Sequence, residues 1–129
     1  PQKHTTMSTA ALQISSLIAL AVLIAVTGIW LRIKGIPYKP NLINTHKIAA
    51  VVFIALAAWP LITGKVMHFT LTPQGLLTVL VLLAAIVALA TGGILSHRQP
   101  EKSALKAAHR WSSILLFVLT ALLTWQALT

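Results

Sequence analysis

The chain has 129 residues, of which 57% are hydrophobic and 9% charged, with a net charge of +9, a single acidic residue (Glu101) and no cysteine. Soluble domains carry about 25% charged residues, so this inventory cannot build a water-facing surface and lipid is the expected solvent. Without cysteine there are no disulfides, thiolate chemistry, iron–sulfur ligation or c-type haem attachment, and five histidines with one carboxylate make a poor zinc or di-iron set. The positive charge does not point to nucleic acid. The cations sit in short connectors between apolar runs, which is the membrane pattern.

Residues 1–9 are polar and read as a frayed lead-in, with Met7 as an alternative start. The first apolar run is too long for a cleavable signal and lacks a cleavage motif. Ala10 to Leu31 is uncharged over 22 residues, and about 20 helical residues span the hydrocarbon core. A first helix is expected over 10–33. Arg32, Lys34, Gly35, Pro37, Lys39, Pro40 and Asn41 form a basic, helix-breaking turn. The second helix is expected over 44–64, N-capped by Asn44 or Thr45, with Pro60 kinking or ending it. After a connector at Lys65–Pro73, Gln74 or Gly75 opens a third helix over 74–97. His97 to Lys102 forms another basic connector containing Pro100. The fourth helix is expected over 103–128, uncharged from Trp111 to Thr129.

Four spans joined by connectors of roughly ten residues define one all-α membrane domain, an up-down-up-down four-helix bundle. The first and third connectors with their flanks hold Arg32, Lys34, Lys39, Lys47, Arg98, Lys102, Lys106 and Arg110; the opposite side holds Lys3 and Lys65. That asymmetry puts the two basic connectors in the cytoplasm and both termini outside.

The halves repeat, 10–64 against 74–128. Thr27-Gly28 matches Thr91-Gly92 at an offset of 64, and Pro37 matches Pro100 at 63. His46-Lys47 matches His109-Arg110, also at 63. Two pseudo-symmetric helix hairpins follow. The second and fourth helices then run parallel as diagonal partners, so His46 and His109 share one depth and can face each other. Counting along helices that rise about 1.5 Å per residue brings Gly28 and Gly92 to the same layer, where the missing Cβ atoms leave room for a flat ligand. Ala49 and Ala50, and Ser112 and Ser113, lie at i+3 and i+4 from the histidines and clear space on the same faces.

Either histidine alone would be an ordinary interfacial side chain, and the glycines alone would serve close helix packing. Together they describe a slot for one haem b with two axial imidazoles, a six-coordinate iron suited to electron transfer. Helix N-termini pointing at the layer, with Lys47 and Arg110 beside the ligands, would attract its propionates. Lys39, Lys106 and His97 are within reach. His97 is a third histidine on the same side, a candidate propionate partner, substitute ligand or solvent-facing group. His68 and His4 lie on the other side, where no facing pair exists for a second haem. Trp30 and Trp111, and Trp59 and Trp125, fit the two aromatic belts, with Trp111 the one candidate to touch a porphyrin.

Thr45-His46-Lys47, Ala108-His109-Arg110-Trp111, Thr27-Gly28 and Thr91-Gly92 together resemble the four-helix membrane b-type cytochromes. These are haem-carrying bundles similar in style to superoxide oxidases, transmembrane ferric reductases and small cytochrome subunits of dehydrogenases. The resemblance implies electron transfer between quinol or a reductase partner and an acceptor, with Thr27, Thr91, Ser112 and Ser113 as candidate quinone contacts. Family members often carry four ligand histidines and two haems; this chain keeps only the cytoplasmic pair and has no nucleotide-binding domain. Two other classes fit the same composition. One is a non-catalytic membrane subunit or assembly factor whose basic face meets anionic lipid or an acidic partner. The other is a chlorophyll-binding bundle in which each histidine holds its own magnesium.

Overall fold

The computed structural model describes residues 8–63, 72–97 and 103–129. Four α-helices follow in order: α1 Thr9–Lys34, α2 Pro40–Ile62, α3 Pro73–His97 and α4 Ser103–Leu128. Each has 23–26 residues, or about 35–39 Å at 1.5 Å per residue, enough to cross a hydrocarbon core of about 30 Å. All four are apolar enough to do so, and the chain is an integral membrane protein.

The helix boundaries have local causes. Ser8 caps α1, its hydroxyl accepting from the Ala11 N–H at 3.2 Å. Arg32 and Lys34 occupy the last turn, where cations favour the helix dipole. Gly35 then takes φ +66°, a left-handed conformation that glycine adopts without steric cost, and its N–H bonds Leu31 O at 3.1 Å. The second helix starts at Pro40, four residues before the expected Asn44. Proline suits the first helical position because its missing N–H would have had no partner there. Lys39 is the N-cap and makes no side-chain cap bond. Thr45 does not cap at all; its hydroxyl donates back to Asn41 O at 2.8 Å inside the helix. The first connector is therefore shorter than the expected ten residues. At the other end, α2 runs through Pro60 to Ile62. Pro73 opens α3 one residue before the expected start, preceded by Thr72, whose hydroxyl accepts from Gly75 N–H at 3.1 Å. The fourth helix begins at Ser103 as expected. The expectations placed on His4, Met7, Lys65, His68, Arg98, Pro100, Glu101 and Lys102 fall outside the described residues.

The helices form two hairpins, α1–α2 and α3–α4, joined mainly along α2–α3 and more lightly along α1–α4. Among the described residues α1 and α3, and α2 and α4, make no close approach, so each of those pairs is diagonal. The core runs along the axis through Leu17, Ala21, Phe53, Val81, Ala85 and Leu116 and their neighbours. Its alanines let the helices approach closely, as packing in lipid requires. Among the described residues Phe53 and Val81 are the largest fully buried side chains, at 1% and 0% exposure. The outer surface is apolar instead of polar, with Leu12, Val22, Val51, Leu83 and Leu115 all more than half exposed. That inversion is stable only against lipid.

Candidate functional site

His46 and His109 occupy matching places. Each is the seventh residue of its helix, counted from Pro40 and from Ser103. The helix N-termini thus lie about 9 Å above the histidine layer, between one and two turns away; this is the distance the sequence implies for α4, whereas α2 was expected to start within two residues of His46 and starts six residues before it. The dipole's pull on an anion is confined to the first turn, so it acts at the mouth of the bundle and not on the imidazoles.

Each ring leans against the first helix of its own hairpin. His46 Nδ1 lies 2.9 Å from Thr27 Oγ1 on α1. His109 Nδ1 lies 3.2 Å from Thr91 Oγ1 and 2.9 Å from Ala88 O on α3. The Ile24 carbonyl, related to Ala88 by the same 64-residue offset as the threonines, also interacts with the His46 ring. Both threonine hydroxyls point their proton elsewhere: Thr27 donates to Leu23 O at 2.7 Å and Thr91 to Val87 O at 2.7 Å. A carbonyl can only accept, and a hydroxyl whose one proton is committed can only accept from a ring nitrogen. Nδ1 is therefore the protonated nitrogen in the neutral ring, and Nε2 keeps its lone pair. Among the described residues no hydrogen bond reaches Nε2 of either histidine. The two rings are near enough to interact electrostatically.

The glycines stand at the histidine layer, as the spacing requires, but face something other than expected. A Cβ on Gly28 would lie 3.1 Å from His46 Cε1, and one on Gly92 would lie 2.8 Å from His109 Cε1. The space they open is filled by the imidazole edges. They let each ring lie flat on the neighbouring helix. Gly93 faces open space.

The small residues behave as the spacing predicts on one face and differ in polarity on another. Ala49 is buried and Ala50 half-buried. Ser112 and Ser113 both donate to His109 O, at 3.0 and 2.7 Å, so their protons are turned into their own helix. The hydroxyl protons of all four expected quinone contacts are thus held by helix carbonyls. Lys47 is half-buried and Arg110 exposed. Trp111 is 66% exposed and Trp30, Trp59 and Trp125 more than half exposed, which is the arrangement of interfacial belts and leaves Trp111 on the outer surface.

His97 is exposed at the end of α3. It lines an open depression of about 350 Å³ with Tyr38, Asn44 and Ser96, between the first connector and α3. Neither His46 nor His109 lines this depression. Below the histidines, Phe53 and Leu116 stand seven residues further along α2 and α4 and belong to one buried cluster, which closes the bundle axis on that side.

Sequence reasoning picked out Thr27 and Thr91 as repeat markers but missed them as imidazole partners. The signal was their position directly before the paired glycines: the glycine admits the ring edge, and the preceding threonine meets its nitrogen. Among the described residues no three histidine, cysteine or acidic side chains cluster as a protein-only metal site. Two imidazoles can supply two metal ligands.

Fold and site together define a four-helix integral membrane bundle with paired histidines on diagonal helices, each bonded through Nδ1 to the first helix of its own hairpin. No protein-family model, curated protein or solved structure matches the chain.

Proposed function

We propose that the chain is a membrane b-type cytochrome that holds one haem b between His46 and His109, near its basic face. The observation that carries this reading is the matching hydrogen bonding of the two rings. Both Nδ1 atoms are engaged with α1 or α3, leaving two Nε2 lone pairs at one depth. Iron held by a macrocycle needs two axial nitrogens and no further protein ligand, which suits a site that offers two imidazoles and, among the described residues, no cluster of three histidine, cysteine or acidic side chains. Haem so bound would supply one-electron redox chemistry.

The chain's own residues do the rest. Thr27, Thr91 and Ala88 fix the ring nitrogens. Gly28 and Gly92 allow the rings to lie back against their helices. Phe53 and Leu116 close the axis beneath, so a ligand would enter from the connector side. There Lys47 and Arg110 follow the histidines directly, and the α2 and α4 N-termini stand above; these favour carboxylates at the mouth. The basic connectors face the cytoplasm and the termini the outside by the positive-inside bias, most simply in a plasma or inner membrane. Electrons would pass between quinol or a reductase partner and an acceptor.

The test is a titration of haem into the purified chain in lipid nanodiscs. The reading requires saturation at one haem per chain, with a sharp Soret band and split α/β bands on reduction. A chain that stays colourless sinks it and favours a structural subunit whose exposed Arg32, Lys34, Lys39 and Lys106 meet anionic lipid. A red band with native pigment would favour chlorophyll.

A further inference from the structure

We propose that Thr27 and Thr91 are positioning residues that set the tautomer and ring plane of the two histidines, and that Thr27 carries more of this task than Thr91. The inference deepens the cytochrome reading, yet its first test does not need haem.

Each hydroxyl has one proton, and the shortest bond at each threonine is to the carbonyl four residues back, 2.7 Å to Leu23 O and 2.7 Å to Val87 O. The hydroxyl oxygen therefore presents lone pairs to the ring, and the ring must bring the proton. This is the arrangement in which a ligand histidine gives its far N–H to a neighbouring acceptor, which orients the ring and raises the donor strength of the other nitrogen. Here the acceptors are the Thr27 hydroxyl and the Ala88 carbonyl.

The two sites are related by the repeat but not equal. At His46 the close partner is the hydroxyl of Thr27, at 2.9 Å. At His109 the close partner is the Ala88 carbonyl, at 2.9 Å, and the Thr91 hydroxyl stands back at 3.2 Å. Removing Thr91 leaves His109 with its better acceptor. Removing Thr27 leaves His46 with only the Ile24 carbonyl. Thr27 is also buried, at 5% exposure, so no solvent stands ready to replace its hydroxyl.

The experiment is long-range proton–nitrogen NMR on ¹⁵N-histidine-labelled full chain, without haem, in nanodiscs. It is run near pH 8, above the ordinary histidine value of about 6.5. Wild type should show both rings as the Nδ1–H tautomer. Thr27→Val should move His46 toward a mixture of tautomers, Thr27→Ser should restore it, and Thr91→Val should leave His109 nearly unchanged. With haem added, Thr27→Val should weaken binding about 10-fold, the low end for loss of a hydrogen bond behind a metal-ligating histidine, and raise the midpoint potential. Thr91→Val should weaken binding by less than half that factor. Circular dichroism of each variant confirms that the bundle is intact. Nε2–H rings in wild type would overturn the proposal, as would a Thr27→Val chain with unchanged tautomer, affinity and potential, or a larger effect at Thr91. Nδ1–H rings in a chain that never binds haem would uphold the positioning role and sink the cytochrome reading.

Discussion

Gly92→Ala is the perturbation whose effect the geometry fixes most closely. An added Cβ would sit 2.8 Å from His109 Cε1 and 3.2 Å from its Nδ1, where ordinary contact begins at 3.4 Å. The ring must retreat by about 0.6 Å, measured from those two distances. It cannot do so freely, because Nδ1 is bonded to Ala88 O at 2.9 Å on the same helix that carries the new methyl. Overpacking of this kind costs about 1–3 kcal/mol, and 1.4 kcal/mol is tenfold in an equilibrium. Haem affinity should therefore fall between about 5-fold and 150-fold. At Gly28 the corresponding distance is 3.1 Å, so the retreat is half as large and the loss should stay within about 5-fold. Neither change should unfold the helix, since alanine is the better helix former by about 1 kcal/mol. The assay is a haem titration of Gly28→Ala, Gly92→Ala and wild type in nanodiscs, with helicity followed in parallel. Equal affinity in all three, or a larger loss at Gly28 than at Gly92, would refute the claim that these glycines seat the imidazoles.

Phe53→Ala empties the most buried aromatic position on the axis, at 1% exposure. It should destabilise the bundle by roughly 3 kcal/mol in a detergent-denaturation assay; no measurable change would show that the axis beneath the histidines is not packed. The absence of cysteine makes single-cysteine labelling clean. In oriented membranes Thr129→Cys should react with an impermeant maleimide from outside, and Lys39→Cys only after permeabilisation; the reverse pattern would invert the orientation.

Much of this architecture was legible because membrane helices are written in composition. Uninterrupted apolar runs have few other uses, and the ends of α3 and α4 fell within a residue of expectation. The misplaced start of α2 has a specific cause. Pro40 reads as a breaker when it follows Pro37, yet at the first helical position it costs nothing, and Asn41 to Thr45 were then free to be helical. That shift moved the α2 N-terminus away from His46; the α4 N-terminus, at Ser103, stands where it was expected. Spacing placed Gly28 and Gly92 at the depth of the histidines but could not say what they faced. Whether a missing Cβ admits an imidazole edge or a separate flat ligand depends on side-chain rotation about χ1, which leaves no periodic trace. The same is true of Thr27 and Thr91. A threonine in an apolar helix normally returns its hydroxyl to the carbonyl one turn back, and these do. Only the three-dimensional pairing of α1 with α2 and of α3 with α4 shows that their lone pairs also meet a ring nitrogen.

The central claim is that His46 and His109 are the two axial ligands of one haem. The most direct measurement is the reduced-minus-oxidised spectrum of haem-loaded wild type beside His46→Ala and His109→Ala, with His97→Ala as the control. Wild type and His97→Ala should give the same six-coordinate spectrum, while each of the other two should lose it. A six-coordinate spectrum that survives unchanged in either His46→Ala or His109→Ala would contradict the assignment.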